Sequence, residues 1–251
     1  DAHCESAMRV AAREMGLPES TVVTIPSSSD AQEEWSHNFL EAPQDGYRLT
    51  HLIALERVGP SHDLDSIQRH LISSEPNWQQ RLAEFADSVP EHARNRCHNM
   101  RGECIDAHTA PLHRLFEMAA SESGIRTIGI GDGGNEIGMG SIRWHELTQR
   151  LNGPASARVP CRIATDWTIV CGVSNWGGQA LAAAVLTLKG MANVARDWTA
   201  SKQLAALERL VMEGPAVDGI TRQQTSTVDG LPFLTYIQPW EGMRRLMGLD
   251  S

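Results

Sequence analysis

The chain has 251 residues, 22 of them basic and 31 acidic, for a formal charge of -9 at pH 7. With no lysine or arginine run, such a field repels a phosphate backbone and excludes nucleic acid as an expected partner. No apolar run reaches the roughly 20 residues of a membrane-spanning helix, so a membrane partner is excluded too. The opening DAHCESAMRVAAREMG lacks the basic-then-apolar order of a signal peptide, and a cytoplasmic protein is expected.

The length suits one α/β domain over 1–251. Cys4, Cys97, Cys104, Cys161 and Cys171 form no CxxC pair. They read mostly as reduced thiols, two of them inside strands. Cys97-His98 with Cys104 falls short of a four-ligand zinc set.

Cys4–Met15 places Ala7, Val10, Ala11 and Met15 at helical spacing, and Gly16 and Pro18 stop the helix. A chain of this class more naturally opens on a strand, so a strand upstream of Asp1 is expected. TVVTIP, 21–26, reads as a short strand closed by proline, and Asp30 is placed to cap a helix over Ala31–Leu40. HLIAL, 51–55, is the next strand, and its carboxyl end delivers Glu56 and Arg57.

Residues 61–98 are polar, with an amphipathic helix around Trp78–Phe85, and read as a helical insertion or lid. Alternation resumes with helix 109–122, strand 125–130, a glycine-rich loop, helix 136–151, strand 162–172, the loop GVSNWGG and helix 178–190. Helices over 200–212 and 239–247 follow, and the two VDG tripeptides, Val217–Gly219 and Val228–Gly230, are turn signals. The alternation predicts an α/β fold with a mostly parallel sheet covered by helices on both faces, a Rossmann-like three-layer architecture.

The loop GIGDGGNEIGMG, 129–140, holds six of the chain's 21 glycines. It satisfies G-x-G-x-x-G between a strand and a helix, the setting of a dinucleotide site. Phosphate binding at a helix amino terminus needs a loop free of competing negative charge, and here Asp132 and Glu136 stand in that place. Two carboxylates there suit an ammonium group or a metal ion better. The plainer reading is that Asp132 or Asn135 caps helix 136–151 while the glycines make a tight turn.

Ligands of open α/β sheets bind beyond the carboxyl ends of the strands. Loops after three strands would bring together Glu56 and Arg57, then Asp132, Gly133, Gly134, Asn135 and Glu136, then Ser174 and Asn175. Ser174 and Asn175 read equally well as a helix cap. Arg57 and Arg101 carry the guanidinium fork that binds a carboxylate bidentately. Trp176 fills core or walls the pocket, and His108 is the one histidine of its segment placed to serve as a base.

ERVG at 56–59, NMRG at 99–102, the whole of GIGDGGNEIGMG, GVSNWGG at 172–178 and VDGLP at 228–232, in that order, resemble the D-glutamate cyclase family. The resemblance runs from about residue 49 to about 235. It implies a hydro-lyase, a carbon-oxygen lyase that converts D-glutamate to 5-oxo-D-proline with loss of water, with a small amino acid as partner. It implies no organic cofactor. Manganese or magnesium is compatible with it, and Asp132 and Glu136 are then the expected ligands. A homo-oligomer is equally compatible.

On that resemblance Arg57 and Arg101 hold the substrate carboxylates. Asp132 or Glu136 receives the ammonium and acts as base, and Asn135, Asn175 or the loop amides steady the oxyanion. The chain departs from the family pattern in two places. Roughly 38 residues separate ERVG from NMRG where the family has a short Gly-Asn-Tyr-Tyr type segment, with Arg96, Cys97 and His98 in the tyrosines' place. The family's upstream strand and its glycine loop are also missing from this sequence. Two other classes stay open: a nucleotide or phosphate-ester enzyme that uses the glycine loop as its cradle, and a small-carboxylate binding protein without chemistry.

Overall fold

The computed structural model describes residues 1–26, 29–41, 46–72, 77–121 and 124–249. In chain order the helices and strands are α1 Glu5–Glu14, α2 Ser29–Glu41, β1 His51–Leu55, α3 Leu64–Ile72, α4 Trp78–Ser88 and α5 His113–Ser121. There follow β2 Arg126–Gly131, α6 Trp144–Arg150, β3 Trp167–Val170, α7 Ser174–Leu188 and α8 Ala200–Glu213. The hairpin strands β4 Thr227–Val228 and β5 Leu231–Pro232 precede α9 Phe233–Tyr236 and α10 Gln238–Leu246. This is the α/β class that the alternation predicts, with a parallel sheet in order β1-β2-β3, in keeping with a three-layer architecture.

The chain divides into two compact units, a larger one over 25–174 and a smaller one made of 1–24 and 175–251. The larger unit holds the parallel sheet, in which His51 lies opposite Arg126 and Ile128 opposite Trp167. Alternation in β1 turns Leu52 and Ala54 inward and leaves His51, Ile53 and Leu55 exposed. On the inward side Leu115, Phe116 and Ala119 of α5, Leu40 of α2, and Ile137 and Met139 complete one core.

Ile137 and Met139 reach that core because the chain after β2 turns back over the strand it has left. A Cβ on Gly129 would stand 2.4 Å from the Ile137 carbonyl oxygen and 2.5 Å from the Gly138 Cα. Only glycine lets the two backbones approach so closely. Gly138 has φ +108, a left-handed conformation that again calls for glycine, and its N–H donates to the Ile163 carbonyl at 2.9 Å.

Segment 61–98, expected to carry one helix, has two, α3 and α4. Ile67, Phe85, Val89 and Ala93 bury a second core there with Trp144, whose ring meets Phe85 edge-on at 5.2 Å. In the smaller unit α1 lies on α8, with Arg13 paired to Glu213 and Arg209 to Glu14. Val228–Gly230 makes the expected hairpin turn, with both Asp229 (φ 51) and Gly230 (φ 75) left-handed. Asp218 clamps it, accepting from the N–H groups of Ile220, Thr221 and Gly230 and from the Thr227 hydroxyl.

Several expectations need correction. Residues 22–26 form no strand, since among the described residues no strand pairs with them, and Glu19–Thr21 is a 3-10 turn. The helix expected from 136 begins at Trp144, and the one expected from 178 begins at Ser174. Helix 109–122 is shortened to His113–Ser121, and strand 162–172 to Trp167–Val170. Cys161 and Cys171 therefore flank that strand instead of lying within it. The side chain of Asp30, the expected cap, lies outside the described residues.

Candidate active site

β1 and β2 run parallel, so their carboxyl ends lie side by side, with Ala54 opposite Gly129 and Leu55 opposite Ile130. The first residues beyond them are Glu56 and Asp132. Carboxylate oxygens of these two residues lie within 4.8 Å of each other, and both residues are exposed. Glu56 has φ 50, a left-handed conformation that costs a residue with a Cβ about 1 kcal/mol or more. Its N–H donates to the Ile130 carbonyl at 2.9 Å, which carries the sheet ladder one residue further. The sequence offered no sign of this conformation, because glutamate has no preference for it.

Asp132 lies at a helix amino terminus, as expected, but the helix is α7 and not the one that follows the loop. Its Oδ2 accepts the N–H of Ser174 at 2.8 Å, the opening residue of α7. Such a cap satisfies one of the free amides of a helix start. The Ser174 hydroxyl is fully buried and has no hydrogen-bond partner among the described residues. Asn175, the next residue, belongs to the smaller unit.

Glu136 is placed differently. Its carboxylate turns back into its own loop and is 3% exposed. Oε1 accepts from the N–H groups of Asp132 and Gly133 at 3.3 and 2.8 Å, and Oε2 from that of Gly134 at 2.7 Å. Burial pushes its pKa up, and the hydrogen bonds from these amides pull it down without cancelling the rise. The amides that a phosphate would use are thus already taken.

Asn135 ties the loop to its neighbour, its Nδ2 donating to the His98 carbonyl at 2.8 Å. The NMRG segment is a turn built on Asn99, whose Oδ1 accepts the N–H groups of Arg101 and Glu103. Met100 of that turn lies against the loop, its sulfur 2.6 Å from where a Cβ on Gly133 would sit. Arg101, the next residue, is exposed.

The half-buried Arg57 donates from Nη2 to the Ala110 carbonyl at 2.5 Å. It lies close enough to His113 for its charge, with those of Arg162 and Arg114, to add to the burial that lowers His113 to about 4. The Cys97 thiol is pushed up to about 12 by burial and the nearby Asp106, the reverse of what a zinc thiolate needs. His108 is exposed in the 3-10 turn Asp106–His108. The Trp176 indole donates to the Tyr236 carbonyl at 2.9 Å within the smaller unit.

The structure thus brings Glu56, Asp132 and Ser174 to one place, with Glu136, Gly133, Gly134 and Asn135 forming the loop beneath. Two comparisons bear on what this arrangement serves. Residues 85–241 match the family described as D-glutamate cyclase-like, C-terminal. Over 141 residues the chain is 38% identical to the human protein named D-glutamate cyclase, mitochondrial, a match covering 56% of this chain and 17% of that relative. The match therefore spans about a sixth of that relative's length. Since the family model covers more than half of the chain, the chain belongs to the D-glutamate cyclase-like family.

Proposed function

We propose that the chain carries the active site of a D-glutamate cyclase, a hydro-lyase that closes D-glutamate to 5-oxo-D-proline. The observation that carries this reading is the pair Glu56 and Asp132, two exposed carboxylates within 4.8 Å of each other at the carboxyl ends of adjacent parallel strands. This is where open α/β sheets bind ligands. A close pair of acids draws a cation, and the cation of this substrate is its α-ammonium group.

Ring closure requires that the ammonium lose a proton, that the nitrogen attack the γ-carboxyl carbon, and that one γ-carboxyl oxygen depart. Two ammonium protons leave with that oxygen as water, so donor and acceptor sites must lie close together. Asp132 takes the proton, and with Glu56 beside it returns it to the departing oxygen. Holding the chain of glutamate bent turns this into a near-attack geometry, which lowers the barrier to ring closure.

Arg57 and Arg101 supply guanidinium groups for the substrate carboxylates. The loop amides are withdrawn from the oxyanion role by Glu136, and Asn135 is engaged with His98. A divalent ion such as manganese or magnesium fits the hard oxygen donors Asp132 and Glu56 and would polarise the γ-carboxyl. Glu136, with both oxygens occupied by amides, does not fit as its second ligand.

The nucleotide reading loses its main support, because the G-x-G-x-x-G amides hold a carboxylate of the chain itself. The test is chiral chromatography of purified protein incubated with D-glutamate or with L-glutamate, with and without manganese. 5-Oxoproline from the D form above the spontaneous background supports the proposal. No turnover of either form by folded protein sinks it and leaves a binding role.

A further inference from the structure

The glycine loop closes on an anion of its own making. Three successive N–H groups, from Asp132, Gly133 and Gly134, converge on the two oxygens of Glu136. Converging amides of this kind form the concave nest that binds free anions elsewhere. The fold reserves room for the side chain: a Cβ on Gly131 would stand 2.9 Å from the Glu136 Cδ, and one on Gly133 3.1 Å from its Oε1. Beyond the nest the loop is tied to its neighbours by an antiparallel bridge of Val58 with Glu136 and by the Ile137 N–H donating to the Arg57 carbonyl, whereas the Glu136 side chain holds the amides of 132–134. Among the described residues no cation pairs with Glu136, and the amides alone meet its buried charge.

We propose that Glu136 is a positioning residue, an internal carboxylate that fills an anion nest and so fixes the loop with the Asp132 carboxylate turned toward Glu56, and that the nest accepts a free small carboxylate once this side chain is removed. Asp132 contributes both an amide to the nest and a carboxylate to the acid pair. Emptying the nest frees the backbone of the residue proposed to carry the proton. The turnover readout rests on the cyclase reading, whereas the binding readout does not.

Glu136→Ala removes the Cγ and the carboxyl group, which together have the atoms of acetate. Turnover of D-glutamate should fall about 100-fold, the cost of a reacting group misplaced by about 1 Å. Acetate should restore at least about tenfold of it with saturation, the low end of what a charge-assisted hydrogen bond contributes. Sodium chloride at equal ionic strength and the larger benzoate should not. Acetate should also raise the melting temperature of Glu136→Ala and leave that of the unaltered protein unchanged.

If the unaltered protein makes no 5-oxoproline, the cyclase reading fails and the melting series still decides the nest. A folded Glu136→Ala whose turnover and melting ignore acetate overturns the proposal. Should that variant fold in no buffer, Glu136→Gln decides, because its amide NH2 would face backbone donors. Turnover equal to that of the unaltered protein overturns the proposal, and a loss of about tenfold or more in kcat at unchanged secondary structure upholds it.

Discussion

Adding one methyl group at Gly129 tests the claim that the loop lies flat on β2. The Cβ of Gly129→Ala would come within 2.4 Å of the Ile137 carbonyl oxygen, 2.5 Å of the Gly138 Cα and 2.9 Å of the Gly138 nitrogen. Ordinary carbon contacts begin near 3.5 Å, so the overlap is about 1 Å against backbone that cannot rotate away. Neither side has slack. Gly129 is held between Ala54 and Thr168 in the sheet. Across from it, the N–H of Ile137 donates to the Arg57 carbonyl at 2.8 Å and that of Gly138 to the Ile163 carbonyl at 2.9 Å.

Overpacking that moves backbone stands at the upper end of its usual range, about 3 kcal/mol. For a chain of this size that lowers the melting temperature by roughly 6–12 °C. Calorimetry of Gly129→Ala beside Gly219→Ala, where an added Cβ meets nothing within 4 Å, reads the difference. The control should shift by less than about 0.5 kcal/mol. A Gly129→Ala variant as stable as the control would refute the close approach and the loop path drawn from it.

Three further outcomes follow from the same geometry. His62 is 2% exposed, and burial with the nearby His70 lowers it to about 3 from the usual 6.5. It is neutral in the fold and takes a proton on unfolding, so its contribution is complete above pH 6.5 and is lost as pH falls toward 3. The stability slope there approaches about 1.4 kcal/mol per pH unit for this one group. Urea unfolding at several pH values should show that slope reduced in His62→Gln, and an unchanged slope would contradict the burial. Asp218→Ala strips one acceptor from three amides and a hydroxyl and should cost on the order of 3 kcal/mol, with amide exchange at Gly230 rising first. Phe85→Ala should cost about 3–5 kcal/mol by opening the core it shares with Trp144, measured by chemical unfolding. A loss below about 1 kcal/mol would mean that this core is not packed as described.

The sequence revealed those elements whose signal is local. β1, β2, α1, α8 and α10 are set by short-range periodicity and by glycine or proline at their ends. Relations between segments were hidden. TVVTI has strand composition, yet among the described residues no strand pairs with it and Val23 is 56% exposed, because a strand exists only through its partner. Ile137 and Met139 fall within the stretch expected as a helix from 136, but they are buried against the sheet by a turned-back chain that the close approach at Gly129 makes room for. The acids of the loop were legible as residues and not as roles. Glu136 was paired with Asp132 because they are neighbours in sequence, whereas the parallel register of β1 and β2 brings Glu56 to Asp132 and leaves Glu136 to the amides. The left-handed backbone of Glu56 had no sequence signature at all.

The most direct test of the acid pair is kcat for D-glutamate in Asp132→Asn and in Glu56→Gln, with circular dichroism to show that each variant is folded. Asparagine at 132 keeps an oxygen for the Ser174 amide, so the cap survives while the base is lost. The proposal predicts that kcat falls by about 10²–10⁴ in Asp132→Asn and by a smaller factor in Glu56→Gln. A folded Asp132→Asn that retains kcat would contradict the assignment of proton transfer to this pair.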